Sequence, residues 1–73
     1  MKTIDIEQTC LMIKKLCREK NISVEQLAGI INISRQAVYG WLNERTLPTT
    51  DHLVELADIL DVAIDDVIVR KEF

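Results

Sequence analysis

The sequence has little of the residue types from which metal sites and catalytic centres are built. Its 73 residues include one His, two Cys, two Gly and one Pro, with one each of Trp, Tyr and Phe. This length excludes a barrel enzyme and any enzyme with a deep cleft between two lobes. The sequence also lacks a His/Cys cluster for zinc, a Gly-rich phosphate loop and a Ser/His/Asp set. We therefore expect no enzyme, no metal, no cofactor and no small-molecule substrate.

Long apolar runs are missing as well, which excludes a membrane-spanning helix. The first residues lack the charged-then-apolar pattern of an export signal, so we expect a cytoplasmic protein. Apolar residues still make up 48% of the chain and charged residues 29%, a composition that predicts a folded domain. A core this small rarely supplies more than about 3–5 kcal/mol, so dimerisation would help to stabilise it.

Charge is unevenly distributed along the chain, whose net charge is −3. Residues 14–45 hold six basic and three acidic side chains, whereas residues 46–73 hold two basic and seven acidic ones. A basic middle beside an acidic end predicts one surface that faces an anion and a second surface with another role. Ordinary surface charge is the alternative interpretation.

The two cysteines, Cys10 and Cys17, are seven positions apart. On one helix they would lie about 10 Å apart along its axis. A disulfide needs Cα atoms within roughly 7 Å, so an internal bridge is excluded. We expect both to be buried apolar thiols.

Polar capping residues divide the sequence into five short helical blocks, and no segment has the pattern of a strand. Together they predict a single domain over residues 1–73 with its core in 5–69. The blocks cover residues 5–20, 24–31, 34–44, a stretch after Thr49, and 64–68, with a short tail at 70–73.

Apolar spacing in the first block predicts which of its side chains are buried. The expected stripe follows the i, i+3, i+4, i+7 rule. It consists of Ile6, Cys10, Ile13, Leu16 and Cys17. His52, on the first turn of the fourth helix, has no partner in the sequence and is expected alone on the surface.

The second and third blocks are joined by a very short connection. Only Asn32 and Ile33 lie between the last apolar residue of one helix and Ser34, which caps the next. Such a tight turn forces two helices to meet at a steep angle, which is the helix-turn-helix geometry. Asn32 stands where the chain reverses, and Asn is the best non-glycine residue for a positive φ.

The third helix has one apolar and one polar face when its residues are placed at 100° intervals. Ala37, Val38, Trp41 and Leu42 form the inner face. The outer face has hydrogen-bonding groups and no carboxylate, which suits the edges of bases in the major groove, although a solvated helix face is the alternative. A glycine inside a helix costs roughly 1 kcal/mol, which is explained by close approach to a sugar–phosphate backbone, unless the glycine is merely tolerated at this position. The outer residues are Arg35, Gln36, Tyr39, Gly40 and Asn43.

Residues 13–69 resemble the Cro-type, or XRE-family, helix-turn-helix regulators, in particular the small single-domain regulators of Firmicutes. The resemblance implies an all-α, five-helix, lambda-repressor-like domain. It also implies double-stranded DNA as partner, bound by a homodimer on a two-fold operator. The matching segments are LCREKNIS, QLA, NISRQAV, PT, LADILDV and IDDVIV, at residues 16–23, 26–28, 32–38, 48–49, 56–62 and 64–69.

The same resemblance implies which residues contact DNA. Base readers in the family lie early on the outer face of the third helix, here Ser34, Arg35, Gln36, Tyr39 and Gly40. Phosphate contacts come from the start of the second helix and from the loop after the third, here Ser23, Val24, Asn43 and Arg45. Arg18 joins them, because Leu42 stands where the family often has the glutamate that pairs with this arginine.

Two further expectations concern the acidic C-terminal half. As an alternative to DNA binding, the chain would be a protein-interaction module or antitoxin-like accessory subunit that acts through this half. If the chain dimerises, apolar residues near its end are the expected interface, unless they only close the core of one chain. These residues are Val62, Ile64, Val67, Ile68, Val69 and Phe73.

Overall fold

The computed structural model describes residues 2–72, which form five helices and one small sheet. None of the helices in this part of the chain is long and apolar enough to cross a membrane. The elements are β1 (Lys2–Ile4), α1 (Ile6–Glu19), α2 (Val24–Ile31), α3 (Arg35–Leu42), α4 (Thr50–Ile59), α5 (Ile64–Val67) and β2 (Arg70–Glu72).

The five predicted helices are confirmed, but the prediction that no strand is present is wrong. Strands β1 and β2 pair antiparallel, with Lys2 opposite Glu72 and Ile4 opposite Arg70. The tail predicted for residues 70–73 is therefore a strand over its first three residues, and Phe73 lies outside the described residues. Each strand has only three residues, too few to show an alternating pattern.

Side-chain caps fix where the first four helices begin. At α2, the Ser23 hydroxyl accepts from the Gln26 amide at 3.1 Å, and the Gln26 side chain accepts from the Ser23 amide at 2.8 Å. This capping box supplies hydrogen-bond acceptors to two backbone N–H groups that have none within the helix. The other helices have single caps of the same kind, at Asp5, Ser34 and Thr49.

The same four helices end in one recurring way. A residue in the left-handed region follows each helix, and the next amide donates back to a carbonyl five residues earlier, as in a Schellman motif. This confirms the positive φ predicted for Asn32, and Asn21 adopts it too. The left-handed residues are Asn21 (φ 57°), Asn32 (φ 64°), Glu44 (φ 62°) and Asp61 (φ 56°).

The core receives at least one fully buried side chain from every helix. Trp41, which was expected to be a core residue, is 4% exposed. Ala37 and Leu42, also expected on the inner face of α3, are half-buried. The largest contributors are Ile13, Leu27, Val38, Leu56, Leu60 and Val67.

The start of α1 departs from the predicted stripe. Ile6 is 48% exposed, whereas Thr9, which the apolar spacing omits, is completely buried. The Thr9 hydroxyl donates to the Val69 carbonyl at 3.2 Å and accepts from the Val69 amide at 2.9 Å. The Asp5 amide donates to the same carbonyl at 2.7 Å. Hydrogen bonds to the chain end, instead of apolar packing of Ile6, therefore hold this turn in place.

His52 also departs from its predicted place. Its ring is half-buried, with a centroid 5.7 Å from that of Trp41. Its Nδ1 lies 3.0 Å from Oε1 of Glu55 on the next turn. His52 is therefore not alone on the surface, because the first turn of α4 brings it against the Trp41 ring.

The apolar residues near the chain end belong mainly to the core of one chain. Val67 is completely buried, and Val62, Ile64 and Ile68 pack partly buried against the core. Val69 is half-buried and hydrogen-bonded to Thr9. The described residues among them therefore leave little exposed apolar surface for a dimer interface.

Among the four left-handed residues of the part of the chain that the structure describes, Glu44 alone lacks a short amide or carboxylate side chain suited to that backbone. This conformation costs most residues roughly 1–2 kcal/mol, and Asn least after Gly. We expect Glu44→Asn to raise the free energy of unfolding by about 0.5–1 kcal/mol. Urea denaturation measures it.

Glu44→Gln is the matched control, because it removes the same charge and keeps the longer side chain. The explanation by backbone strain predicts that Glu44→Gln leaves stability close to wild type. Equal stabilisation by both variants would show that the charge, and not the backbone, is responsible.

Candidate nucleic-acid interface

Helices α2 and α3 pack directly against each other across the short connection at residues 32–34. The Ile33 amide donates to the Ala28 carbonyl at 3.0 Å, which closes the end of α2 over left-handed Asn32. Ser34 then caps α3. Ala28 is 5% exposed, so a small side chain occupies the contact between α2 and its neighbours. This arrangement confirms the predicted helix-turn-helix.

A shallow depression of about 700 Å³ lies along the outer face of α3 and the loop that follows it. It brings together four of the five expected base readers and both expected phosphate contacts from the loop. None of the described residues that line it is acidic. They are Ser34, Gln36, Ala37, Tyr39, Gly40, Asn43, Arg45 and Thr46.

Arg35, the remaining expected base reader, does not line this depression. Its Nη1 lies 3.7 Å from Oε1 of Glu25, in the first turn of α2, and both side chains are about two-thirds exposed (65% and 64%). Glu25 is not among the residues that the sequence predicts at this site. The residues are ten positions apart on different helices, so only the α2–α3 geometry shows that they meet.

The start of α2 borders a second depression, of about 540 Å³. Arg18 and Ser23, both expected to contact phosphate, line it together with Asn21 and Gln26. Val24 does not line it, since its side chain packs partly buried against the core. Only the backbone of Val24 is then available to a phosphate.

Arg18 takes no part in the ion pair found among the side chains of residues 3–72, which joins Arg35 and Glu25, nor in the contact between His52 and Glu55. Leu42, which stands where the family often has a pairing glutamate, packs partly buried against the core instead. The Arg18 guanidinium is exposed at the end of α1. These positions agree with an arginine that is available to an anion.

The loop after α3 is held in place from inside the protein. The Arg45 and Thr46 amides both donate to the Gly40 carbonyl, at 2.9 and 3.3 Å. A Cβ at Gly40 would lie only 3.0 Å from the Thr46 hydroxyl oxygen. This close contact inside the protein favours glycine at the position. Behind the loop, the Cys10 thiol donates to the Thr46 carbonyl at 3.7 Å.

Both cysteines are free and buried, as expected. Burial raises the pKa of the Cys10 thiol, and the negative charge of Glu44 raises it further. Burial alone raises the pKa of Cys17. The two thiols are therefore neutral near pH 7, and the described residues contain no cluster of three or more potential metal ligands.

A family model described as "Helix-turn-helix" matches residues 13–67, from the middle of α1 to the end of α5. No curated protein and no solved structure matches the chain.

The raised pKa of Cys10 predicts how stability depends on pH. Such a thiol has a higher pKa in the folded than in the unfolded state. Its contribution to the free energy of unfolding is fully present below the ordinary pKa of about 8.5 and is lost as the pH rises further. The loss approaches about 1.4 kcal/mol per pH unit for one thiol. We expect urea denaturation at pH 7.5 and 9.5 to show a larger loss for wild type than for Cys10→Ser.

The Ser hydroxyl can still donate to the Thr46 carbonyl, and Cys17 is present in both proteins, so its effect cancels. Identical losses for the two proteins would contradict the buried, neutral state of Cys10.

Proposed function

We propose that the chain reads a specific DNA sequence with α3 in the major groove. The proposal starts from its family: the chain belongs to the helix-turn-helix family of the Cro/C1 (XRE) type and is a DNA-binding transcription regulator. In this proposal, residues 1–73 act as one DNA-binding domain on double-stranded DNA. The observation that carries it is the depression along α3. Its lining is free of carboxylates, although the chain as a whole has a net charge of −3.

The side chains of α3 suit the chemistry of base edges. Gln36 and Asn43 have amides that can both donate and accept, and Tyr39, 47% exposed, has a hydroxyl. Ser34 can contribute its hydroxyl, while Gly40 lets the backbone approach closely. Arg35 completes the set with a guanidinium that can bind guanine through two hydrogen bonds.

Phosphate contacts are proposed on both sides of these readers. At the start of α2, the first amides have no partner within the helix, and the positive end of the dipole favours an anion. Ser23, the Val24 amide and Arg18 would bind one phosphate there. Asn43 and Arg45, in the loop held by Gly40 and Cys10, would bind another.

We further propose that two copies bind a two-fold operator. Eight residues of α3 extend only about 12 Å and reach few base pairs. A dimer places two recognition helices about 34–36 Å apart, one turn of DNA. Asp65 and Asp66 would be repelled by phosphate, so α5 is expected to face away from the DNA.

A second candidate function is a protein-interaction module, and the outer face of α4 is the observation that favours it. Val54 is 54% exposed there, and it lies among the exposed carboxylates of Asp51, Glu55 and Asp58. A basic partner with an apolar centre would suit this face. Selection of bound duplexes from a random DNA pool separates the two candidates, since a protein-interaction module would enrich no sequence.

Substitution of the two proposed base readers in the first turn of α3 tests the role of this helix. We expect Arg35→Ala and Gln36→Ala each to cost roughly 1–3 kcal/mol on the selected duplex and to relax base preference at one position. Fluorescence anisotropy titrations and repeated selection measure both effects. Lys14→Ala, which removes an exposed charge from α1, is the control. Wild-type affinity in both α3 variants would show that another element reads the sequence.

The two-fold arrangement has a separate test. We expect the selected duplexes to contain two inverted half-sites, and sedimentation of the complex to give two chains per duplex. Shifting one half-site by five base pairs should abolish tight binding, because it moves that site to the opposite side of the helix. One chain bound to an asymmetric site would contradict the dimer.

A further inference from the structure

Glu25 lies outside the depression along α3 but beside Arg35, one of the proposed base readers, and the proposed function leaves its carboxylate unused. It lies in the first turn of α2, and its Oε1 is 3.7 Å from Nη1 of Arg35. Both side chains are largely exposed, so water or DNA can reach the pair. Arg35 thus leans toward α2, while Gln36, the next residue, lines the depression along α3.

Arg35 occupies an unfavourable position in its own helix. It is the first residue of α3, where the helix dipole disfavours a positive charge. The Glu25 carboxylate offsets this repulsion, and the start of α2 favours a negative charge at Glu25 for the same reason. Each residue therefore stabilises the other in the orientation that the structure shows.

The distance between the two side chains leaves the guanidinium free to bind a further group. At 3.7 Å the pair is an ion pair without a close hydrogen bond, and Arg has five N–H donors. A guanine edge is neutral and offers two acceptors, so Arg35 can bind it and stay beside Glu25. A phosphate contact either separates the pair or brings the carboxylate close to a second anion.

We propose that Glu25 is a specificity-determining residue, which restricts Arg35 to a guanine edge and disfavours contacts with phosphates of any sequence. This inference rests on the proposed function, since it requires α3 to read DNA. It deepens that proposal by assigning a guanine to the position that Arg35 reads. The carboxylate lowers non-specific affinity, and discrimination between sequences rises as a result.

The test compares wild type with Glu25→Gln on the selected duplex and on a random-sequence duplex. We expect Glu25→Gln to bind the random duplex roughly two- to fivefold more tightly, the factor that corresponds to an exposed ion pair. Affinity for the selected duplex should change less, so the ratio of the two affinities falls. The slope of log K against log salt should steepen by about 0.9 on the random duplex, because one more phosphate is contacted.

Two controls separate the contact from the loss of a charge. Asp58→Asn removes a carboxylate from the exposed face of α4, and we expect it to leave the affinity ratio unchanged. In an Arg35→Ala background, Glu25→Gln should also leave the ratio unchanged. Repeated selection with Glu25→Gln should relax the guanine at the same position that Arg35→Ala relaxes.

The outcomes distinguish this inference from the proposed function. If wild type discriminates between the duplexes and Glu25→Gln keeps the same ratio and slope, Glu25 has no role in specificity, while the proposed function stands. If wild type enriches no sequence at all, the proposed function fails and this inference fails with it. Circular dichroism melts of each variant establish that it is folded under the binding conditions.

Discussion

The turn between α2 and α3 is the constraint on which the rest of the molecule depends. Asn32 adopts a left-handed conformation, and the Ile33 amide is bonded to the Ala28 carbonyl. Ser34 starts the next helix at once, so neither helix can rotate without breaking these bonds. The orientation that buries Val38 and Trp41 therefore also exposes Gln36 and Tyr39. The core and the proposed base readers therefore lie on two faces of one short helix.

A second constraint acts on the loop after α3, which lines the same depression as the outer face of that helix. The Gly40 carbonyl accepts hydrogen bonds from two amides of this loop. From the core side, the Cys10 thiol donates to the Thr46 carbonyl. A loop that carries Asn43 and Arg45 is thus tied to α1 as well as to α3. Such preorganisation reduces the entropy that is lost when side chains are fixed against a ligand.

Much of this arrangement is predictable from sequence because it depends on local chemistry. Ser23 and Ser34 mark helix starts, and Asn32 marks a reversal, through interactions within a few residues of the chain. The missed features join distant segments: the bonds of Thr9 to Val69, the pair of Glu25 with Arg35, and the contact of His52 with Trp41. Periodicity records which faces are apolar, but not which polar groups meet across helices.

The pairing of β1 with β2 has a consequence for the order of assembly and for mechanical strength. It closes a loop of nearly the whole chain. Because closing so long a loop costs conformational entropy, the strands are expected to pair only after the helices have packed. Lys2 and Glu72 lie side by side at the open end of the ribbon. Force that pulls these ends apart therefore loads the hydrogen bonds one after another, as in a zipper. The ribbon would peel open before the helical core bears any load.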